Sequence, residues 1–519
     1  MKVTKIHQKG NKIKILLVGI YDTNTVSLAP HVLRAYAGQF SIASRFEIIV
    51  REFSIFNDTV ESMIQNITEE KPDVIGFSMY TWTFNQILEI IKHIDAVIMV
   101  GGPQVTGIEE ELLRENPDID IIVTGEGEAT FKELLEYFCG EKNLEEINGI
   151  TTKDVKTEPR EAIANLDSIP SIYERVFKEH PNISWISFET SRGCPMNCKY
   201  CSWSYTKKMR YYSLERVKKD LDVILSQDNL NFIYLCDSNI LINKNRAKEI
   251  LQHIINSGAD KKISFEFNAE YLDDEIIDLL AQLPNNEFDF GIQSTNKRAL
   301  DDAGRIFNRE RFEENFRKIA KKFKESNIRV DIIYGLPGDN IDGFKESLNY
   351  AISLDKVKRI ITYPLTILPG SEFYREMDKY GIKLRDKKSY LEKENYTFSE
   401  KEMKLAIKYS FFVTVIYLNY RLKDSIKSFA EWKKKRYIDT IIEFMESLTV
   451  DIMGGIAYPD MIPSVKEGFE QRNMVFRNVI NRYDDIVAFF KAFSDHRYDS
   501  QLADYKDYYS DHYYKLKNY

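Results

Sequence analysis

The chain has 519 residues, 43% of them hydrophobic, with 72 basic against 80 acidic side chains and a formal net charge of −8. That length supports roughly two to four domains, and core burial is not limiting. The balance of charge excludes nucleic acid or an anionic membrane as a partner gathered by bulk positive charge, and 31 Tyr and 31 Phe against 23 Gly and 14 Pro exclude low-complexity disorder.

Five cysteines, three of them clustered, indicate a reduced, cytoplasmic setting and not a disulfide framework. The first residues are polar and lysine-rich with no signal-peptide core behind them. The longest apolar run, 411–418, is too short to span a bilayer. No nucleic-acid partner and no membrane span are expected.

Residues 1–140 alternate between strand and helix patterns. Strands are expected at 13–19, 46–53, 74–78, 96–100 and 119–123, with helices at 29–42, 60–68 and 84–94. Buried strands alternating with helices predict a doubly wound parallel sheet of Rossmann-like type. Small and polar residues cluster past the strand ends: Asn24 and Thr25, Ser78 to Trp82, Gly101-Gly102-Pro103-Gln104, and Gly125-Glu126-Gly127-Glu128. That edge is where ligands lie in open α/β sheets, and glycine lets backbone approach a flat ligand closely. His31 falls inside a helix pattern and is expected to be a packed or half-exposed helix residue and not a ligand.

Residues 141–184 form a polar connector with no assigned chemistry. A strand-like run at 185–188 then leads into Cys194, Cys198 and Cys201, spaced Cys-x3-Cys-x2-Cys. Thiolates are soft ligands suited to iron–sulfur clusters or zinc. Structural zinc closes with four ligands, and no nearby Cys or His follows. Three thiolates on one tight loop can hold three irons of a four-iron cluster and leave the fourth open.

This loop resembles the cluster-binding signature of the radical SAM superfamily, with Tyr200 as the aromatic before the third cysteine. The resemblance implies a 4Fe-4S cluster on Cys194, Cys198 and Cys201, S-adenosylmethionine on the open iron, and an external electron donor such as flavodoxin or ferredoxin. The N-terminal pattern resembles the cobalamin-binding domain found ahead of such cores, a likeness carried by Gly101-Gly102-Pro103 and Gly125-Glu126-Gly127-Glu128. Asn24, Thr25, Ser78, Tyr80, Trp82 and Gln104 complete the implied cobalamin site. The Asp-x-His-x-x-Gly loop of many cobalamin domains is missing; Tyr21-Asp22-Thr23-Asn24 stands in its place. The lower cobalt face is therefore open, water-bound or shielded, with Tyr80 and Trp82 available as shields.

Residues 185–385 carry six strand patterns, at 185–188, 232–235, 263–267, 288–292, 330–334 and 360–365, with helices between them. They predict a partial (β/α)6 barrel with its site at the carboxyl ends of the strands. Asp237 is read either as an acceptor for the methionine ammonium or as a helix cap. Glu270 could bind ribose hydroxyls or head a surface helix. Gln293 and Ser294 lie in a Gly-x-Gln-Ser run that the resemblance associates with carboxylate or ribose contacts. Arg305 could pair with the methionine carboxylate as a bidentate fork. Cys236 reads as a small buried strand-end residue, and Asp331 faces either the barrel or its wall.

Residues 386–519 are helical by pattern, clearest at 403–420 and 437–448, and are expected to cap the open barrel end. The resemblance implies a cobalamin-dependent radical SAM enzyme, methylating an unactivated carbon of an unnamed small molecule, lipid or peptide. A non-methylating rearrangement, cyclisation or oxidation, with or without cobalamin, is the alternative; a non-catalytic iron–sulfur module is the second.

Overall fold

Residues 13 to 151 supply strands β1 (Ile13–Tyr21), β2 (Phe46–Ser54), β3 (Val74–Ser78), β4 (Val97–Gly101), β5 (Ile121–Val123) and β6 (Ile150–Thr151). Their order in the sheet is β2-β1-β3-β4-β5-β6. The first five run parallel and β6 pairs antiparallel with β5. The computed structural model describes residues 12–447 except 22–23, 204–205, 284, 324–327, 388 and 418–419.

β1 shows why its sequence is an unbroken apolar run. Ile13, Ile15 and Leu17 enter one hydrophobic core, with Phe131, Leu134 and Phe138 of the helix Gly127–Phe138. Leu16, Val18 and Ile20 enter the other, with Met63 and Ile67 of the helix Val60–Glu70 and Ile87 and Ile90 of the helix Phe84–Ile91. Side chains alternate across a strand, so a strand covered on both faces is apolar at every position. The chain passes outward from β1 to β2 and then returns to place β3 on the other side of β1. That reversal opens a crevice at the strand ends.

Beyond the connector helix Tyr173–Glu179 come β7 (Trp185–Phe188), β8 (Ser191–Arg192), β9 (Arg210–Tyr211), β10 (Phe232–Leu235), β11 (Lys262–Glu266), β12 (Asn285–Gln293), β13 (Ile328–Tyr334) and β14 (Val357–Pro364). Six of these form one parallel sheet in the order β14-β13-β12-β11-β10-β7, an open partial barrel. Ile233, Phe265, Phe290 and Val330 pack outward against Leu221, Ile250, Phe316 and Phe344 of the surrounding helices. The alternate residues Tyr234, Glu266, Asp289 and Asp331 lie on the opposite face of the strands, which is the inner wall. Asp331 thus faces inward, held by Arg329 at 2.9 Å.

The helices Glu400–Tyr417, Tyr420–Lys433 and Tyr437–Ser447 give the C-terminal region its helical character. Met403 of the first meets Gly335, in the turn after β13 at the carboxyl edge of the barrel. Phe412, Val413 and Ile416 join the outer core that holds Val357 and Ile360 of β14. After β14 the chain forms only two four-residue helices, Glu372–Arg375 and Met377–Tyr380, so the outer face of that last strand needs cover from further on. The rest of the expected cap, 448–519, lies outside the described residues. Among the described residues no helix is long and apolar enough to cross a membrane.

Candidate functional site

β8 and β9 pair at Arg192 and Arg210 and pinch the base of the cysteine loop. Gly193 sits at φ 96°, and a Cβ there would collide with the Lys208 carbonyl oxygen, so only glycine lets the loop fold back on itself. Inside the loop the Cys194 N–H donates to the Thr206 carbonyl at 2.9 Å. Cys194 and Cys198 are buried, Cys201 is half-buried, and none of the three is in a disulfide. Burial, with Cys198 and Cys194 adding to it, pushes the Cys201 thiol up to about 12. The three sulfurs therefore share one pocket. Three thiolates on one loop suit three irons of a four-iron cluster.

Beside the loop, Arg305 brings Nη1 to 4.0 Å from Cys198 Sγ. Its Nη2 donates to the Gly291 carbonyl at 2.6 Å and to Asn268 Oδ1 at 3.1 Å. Its Nε is buried without a partner, a donor suited to a carboxylate. Glu270 accepts from the Asn308 N–H at 3.3 Å, and burial holds its carboxyl above the ordinary value. Gln293 sits at φ 68° where the β12–β13 register shifts, beside Gly291. Tyr200 packs next to the apolar cluster of Ala299, Leu336 and Phe373, its phenol beside Cys198.

Two expected pocket residues are committed elsewhere. Asp237 accepts from the Thr190 N–H at 2.7 Å, the Ser191 N–H at 3.0 Å and the Thr190 hydroxyl. It is neither a helix cap nor turned to a ligand; it fastens the turn leading into the cysteine loop, and Ser238 adds a 2.7 Å bond to the Gly193 carbonyl. Ser294 is buried, donates to Asp339 Oδ2 at 3.0 Å and accepts from the Asn296 N–H at 3.0 Å, bracing one turn against the next.

A cavity of about 1320 Å³ opens between the two sheets. The N-terminal side contributes Ser78, Tyr80, Trp82, Gly101, Gly102, Pro103, Gln104, Gly125, Gly127 and Glu128. Gly102 stands at φ 101°, where a Cβ would come within 2.6 Å of the Met79 carbonyl oxygen. Tyr80 and Trp82 are stacked with centroids 4.7 Å apart, and Tyr21 lies 5.3 Å from Trp185, tying this wall to β7. Gln104 accepts from the Thr81 hydroxyl at 2.8 Å, while its Nε2 is buried without a partner; Gln86 Oε1, also on the wall, is in the same state. Unpaired buried amides cost about 1–3 kcal/mol each, and a ligand fringed with amides, as cobalamin is, would relieve both.

Asn24, Thr25 and Glu126, expected here, do not line the cavity. Asn24, at φ 57°, gives its carbonyl to the Ser184 N–H at 2.8 Å. Thr25 is buried behind the wall. Glu126 takes Arg210 at 2.6 Å and the Ile163 N–H at 2.8 Å. Of the two placements expected for His31 the structure has the packed one, with Nε2 3.1 Å from Glu52 Oε1.

The barrel side contributes Ser187, Glu189, Ser202, Trp203, Tyr234, Cys236 and Tyr363, and also Arg192. Sequence reasoning passed over Glu189, Arg192, Tyr234 and Tyr363. Glu189 was findable, being the first residue after β7. Arg192 was not, because its partners come from both halves of the chain: Glu189 at 2.9 Å and Glu128 at 2.7 Å. Burial holds the Glu189 carboxyl above its ordinary value even with Arg192 beside it. Tyr234 donates to Glu266 at 2.5 Å.

Comparison with known proteins agrees with this architecture. The B12 binding domain family matches residues 7–135 and the Radical SAM superfamily matches residues 188–351. The chain is 30% identical to an uncharacterized methyltransferase of Pyrococcus horikoshii over 57% of this chain and 68% of that protein. It is 25% identical to a 2-(S-pantetheinyl)-carbapenam-3-carboxylate methyltransferase of Streptantibioticus cattleyicolor over 73% of this chain but only 59% of that protein's length. The solved structure of OxsB, a cobalamin-dependent S-adenosylmethionine radical enzyme with aqua-cobalamin and S-adenosylmethionine bound, shares the fold with a TM-score of 0.63 at 16% identity, covering 96% of this chain and 84% of that one.

Fold and site thus define a radical SAM enzyme preceded by a B12-type domain. The chain belongs to the cobalamin-binding radical SAM family, whose cofactors are a 4Fe-4S cluster, S-adenosylmethionine and cobalamin.

Proposed function

We propose that this enzyme transfers a methyl group to an unactivated carbon of a substrate held in the cavity between its two sheets. One observation carries the reading: a single cavity is walled on one side by Gly101 to Gln104 and on the other by Ser202 and Trp203, directly after Cys201. When bound, the three cofactors supply a 5′-deoxyadenosyl radical and a transferable methyl group. Residues 1–140, with β6 added at the edge, form the cobalamin domain in this reading, and 185–385 the radical core.

Cys194, Cys198 and Cys201 would hold the cluster, which would bind S-adenosylmethionine. Arg305 offers its unpaired Nε, beside Cys198, to the methionine carboxylate. Glu270 and Gln293, close to Arg305, meet the ribose or the amino-acid end. Gly101 and Gly102 let the backbone approach the corrin, and Gln86 and Gln104 pair with its amides. The stacked Tyr80 and Trp82, on the cavity wall, would lie against the corrin and keep water from it. Glu189, Tyr234 and Tyr363 meet the substrate, in a site whose enclosure keeps water from a reactive intermediate.

The test is anaerobic turnover of reconstituted protein with cobalamin, a reductant and S-adenosylmethionine labelled in its methyl group. Formation of 5′-deoxyadenosine, absent in Cys198→Ala, together with label in a product drawn from candidate substrates, is the expected result. 5′-Deoxyadenosine with unlabelled product would replace methylation by rearrangement, cyclisation or oxidation.

A further inference from the structure

A second cavity, of about 620 Å³, borders β9 and shares no lining residue with the first. Successive side chains of a strand point to opposite faces. Arg210 accordingly turns to Glu126, while Tyr211 lines this second cavity with Asn243, Asn245, Arg246 and Lys248. Three of these residues open the helix Lys244–Ser257 or cap it. The first N–H groups of a helix find no partner inside it. Asn243 Oδ1 accepts from the Arg246 N–H at 3.2 Å, and among the described residues nothing takes the N–H groups of Lys244 and Asn245. The first turn carries two cations, Lys244 and Arg246, and no acid. That charge runs against the helix dipole, which favours an anion at this end.

Arg246 is only 9% exposed. Its Nη2 donates to the Thr190 carbonyl at 3.1 Å, and its guanidinium lies 5.3 Å from the centre of the Tyr211 ring. Its Nε is buried without a partner. The acids near enough to act on it, Asp237 and Asp167, are spent elsewhere. Asp237 takes Thr190 and Ser191, and Asp167 takes the Ser213 N–H at 2.9 Å. Burial therefore holds the guanidinium below its ordinary value. The cavity's own acids are paired too, Glu249 with Lys218 at 2.7 Å and Glu275 with Lys248. A buried cation with a spare donor lacks a hydrogen-bonded counter-ion.

We propose that this cavity binds a phosphate group, held by Arg246, by the N–H groups of Lys244 and Asn245 and by the Lys244 ammonium. Free N–H groups at a helix start and a guanidinium fork are the donors that a phosphate takes. The group is free phosphate or the phosphate of a small metabolite, and no covalent bond to it forms or breaks. Through Arg246 the site reaches Thr190, which Asp237 holds in the turn before the cysteine loop. The assignment holds whatever reaction the larger cavity performs.

Equilibrium dialysis of the cluster-loaded full chain with radiolabelled inorganic phosphate, and separately with glycerol 3-phosphate, measures binding. The parent is expected to bind saturably and to melt later with the ligand present. Arg246→Gln is expected to weaken binding about tenfold or more, the loss of a charge-assisted hydrogen bond. Because Arg246 also holds Thr190, Asn245→Asp is the second variant. An acid in the first turn suits the helix dipole, so the melting temperature without ligand is kept or raised while the phosphate is repelled and binding falls at least as far. Tighter binding of glycerol 3-phosphate than of inorganic phosphate assigns the site to a phosphorylated metabolite, and the reverse order to the free anion; either upholds it. No saturable binding in the parent, or binding left unchanged in either variant, overturns the site.

Discussion

Arg192 Nη2 lies 2.7 Å from Glu128 Oε1, so the residue just before the cysteine loop is tied to the first turn of a helix that covers the other sheet. The pair sits on the cavity wall, where the two halves of the enzyme meet. Removing one partner of a buried ion pair leaves a stranded charge, at a cost of about 3–5 kcal/mol. Arg192→Ala, which strands both Glu128 and Glu189, is therefore expected to lower the melting temperature and weaken cobalamin retention. Arg192→Met with Glu128→Met restores only part of the melting temperature, because Glu189 stays without its partner, and adding Glu189→Gln restores more. Thermal unfolding and the corrin absorbance left after desalting check both.

Arg305 is anchored to Gly291 and Asn268 and carries one spare donor beside Cys198. Lysine keeps the charge and loses the planar fork. Arg305→Lys is expected to raise the S-adenosylmethionine dissociation constant about tenfold, the loss of one charge-assisted hydrogen bond, with iron and sulfide content unchanged. Calorimetry with S-adenosylmethionine measures the affinity, and unchanged binding removes Arg305 from the site.

Gly102 has a positive φ of 101° and no room for a Cβ, whereas Gly140, at φ 73°, has nothing within 4 Å. Alanine at 102 must overcome both strain and collision, at a cost of about 1–3 kcal/mol or more. At 140 only the left-handed backbone is penalised, by about 1 kcal/mol. Gly102→Ala is thus expected to lose cobalamin while still forming 5′-deoxyadenosine, and Gly140→Ala to keep both.

Glu179, in the connector helix, faces Arg34 and Arg175. Burial pushes its carboxyl up, but the hydrogen bonds from the two guanidiniums outweigh burial and hold it at about 2, below the ordinary 4.5. A carboxylate with a lowered folded pKa adds stability that is present above its unfolded value and lost as pH falls through the folded one. Glu179→Gln is therefore expected to melt earlier than the parent at neutral pH, with the gap closing from about pH 4.5 towards 2. Paired melting curves across that window check the sign.

Phe412 is fully buried in the outer core against β14. Phe412→Ala is expected to cost about 3–5 kcal/mol and to leave iron content and cobalamin binding unaltered, because its helix supplies no residue to the cavity wall. Denaturant unfolding measures the first and cofactor analysis the second.

Much of this protein was legible in one dimension. Strands covered on both faces, such as β1, write themselves as unbroken apolar runs, and Val74–Ser78 and Phe232–Leu235 fall where those runs predict. The cysteine triad is local, and the glycines after β4 and β5 mark the crevice edge directly. β6 was missed because two residues at a sheet edge carry no period. The position of the C-terminal helices depends on which outer face the last barrel strand leaves bare, and no helix sequence records that.

Side-chain commitments were decided only by the fold. Asp237 and Ser294 sit at the expected strand ends, yet Thr190, Ser191 and Asp339, distant in sequence, take their hydrogen bonds. Glu126 and Glu128 are two residues apart, yet one turns to Arg210 and the other to the cavity and Arg192. The sequence by itself determined the element types, the cluster loop and the family, because periodicity and ligand spacing are properties of neighbouring residues. Which polar groups stay available to cofactor and substrate was settled by tertiary structure alone, because a buried donor or acceptor must find its partner wherever packing brings one.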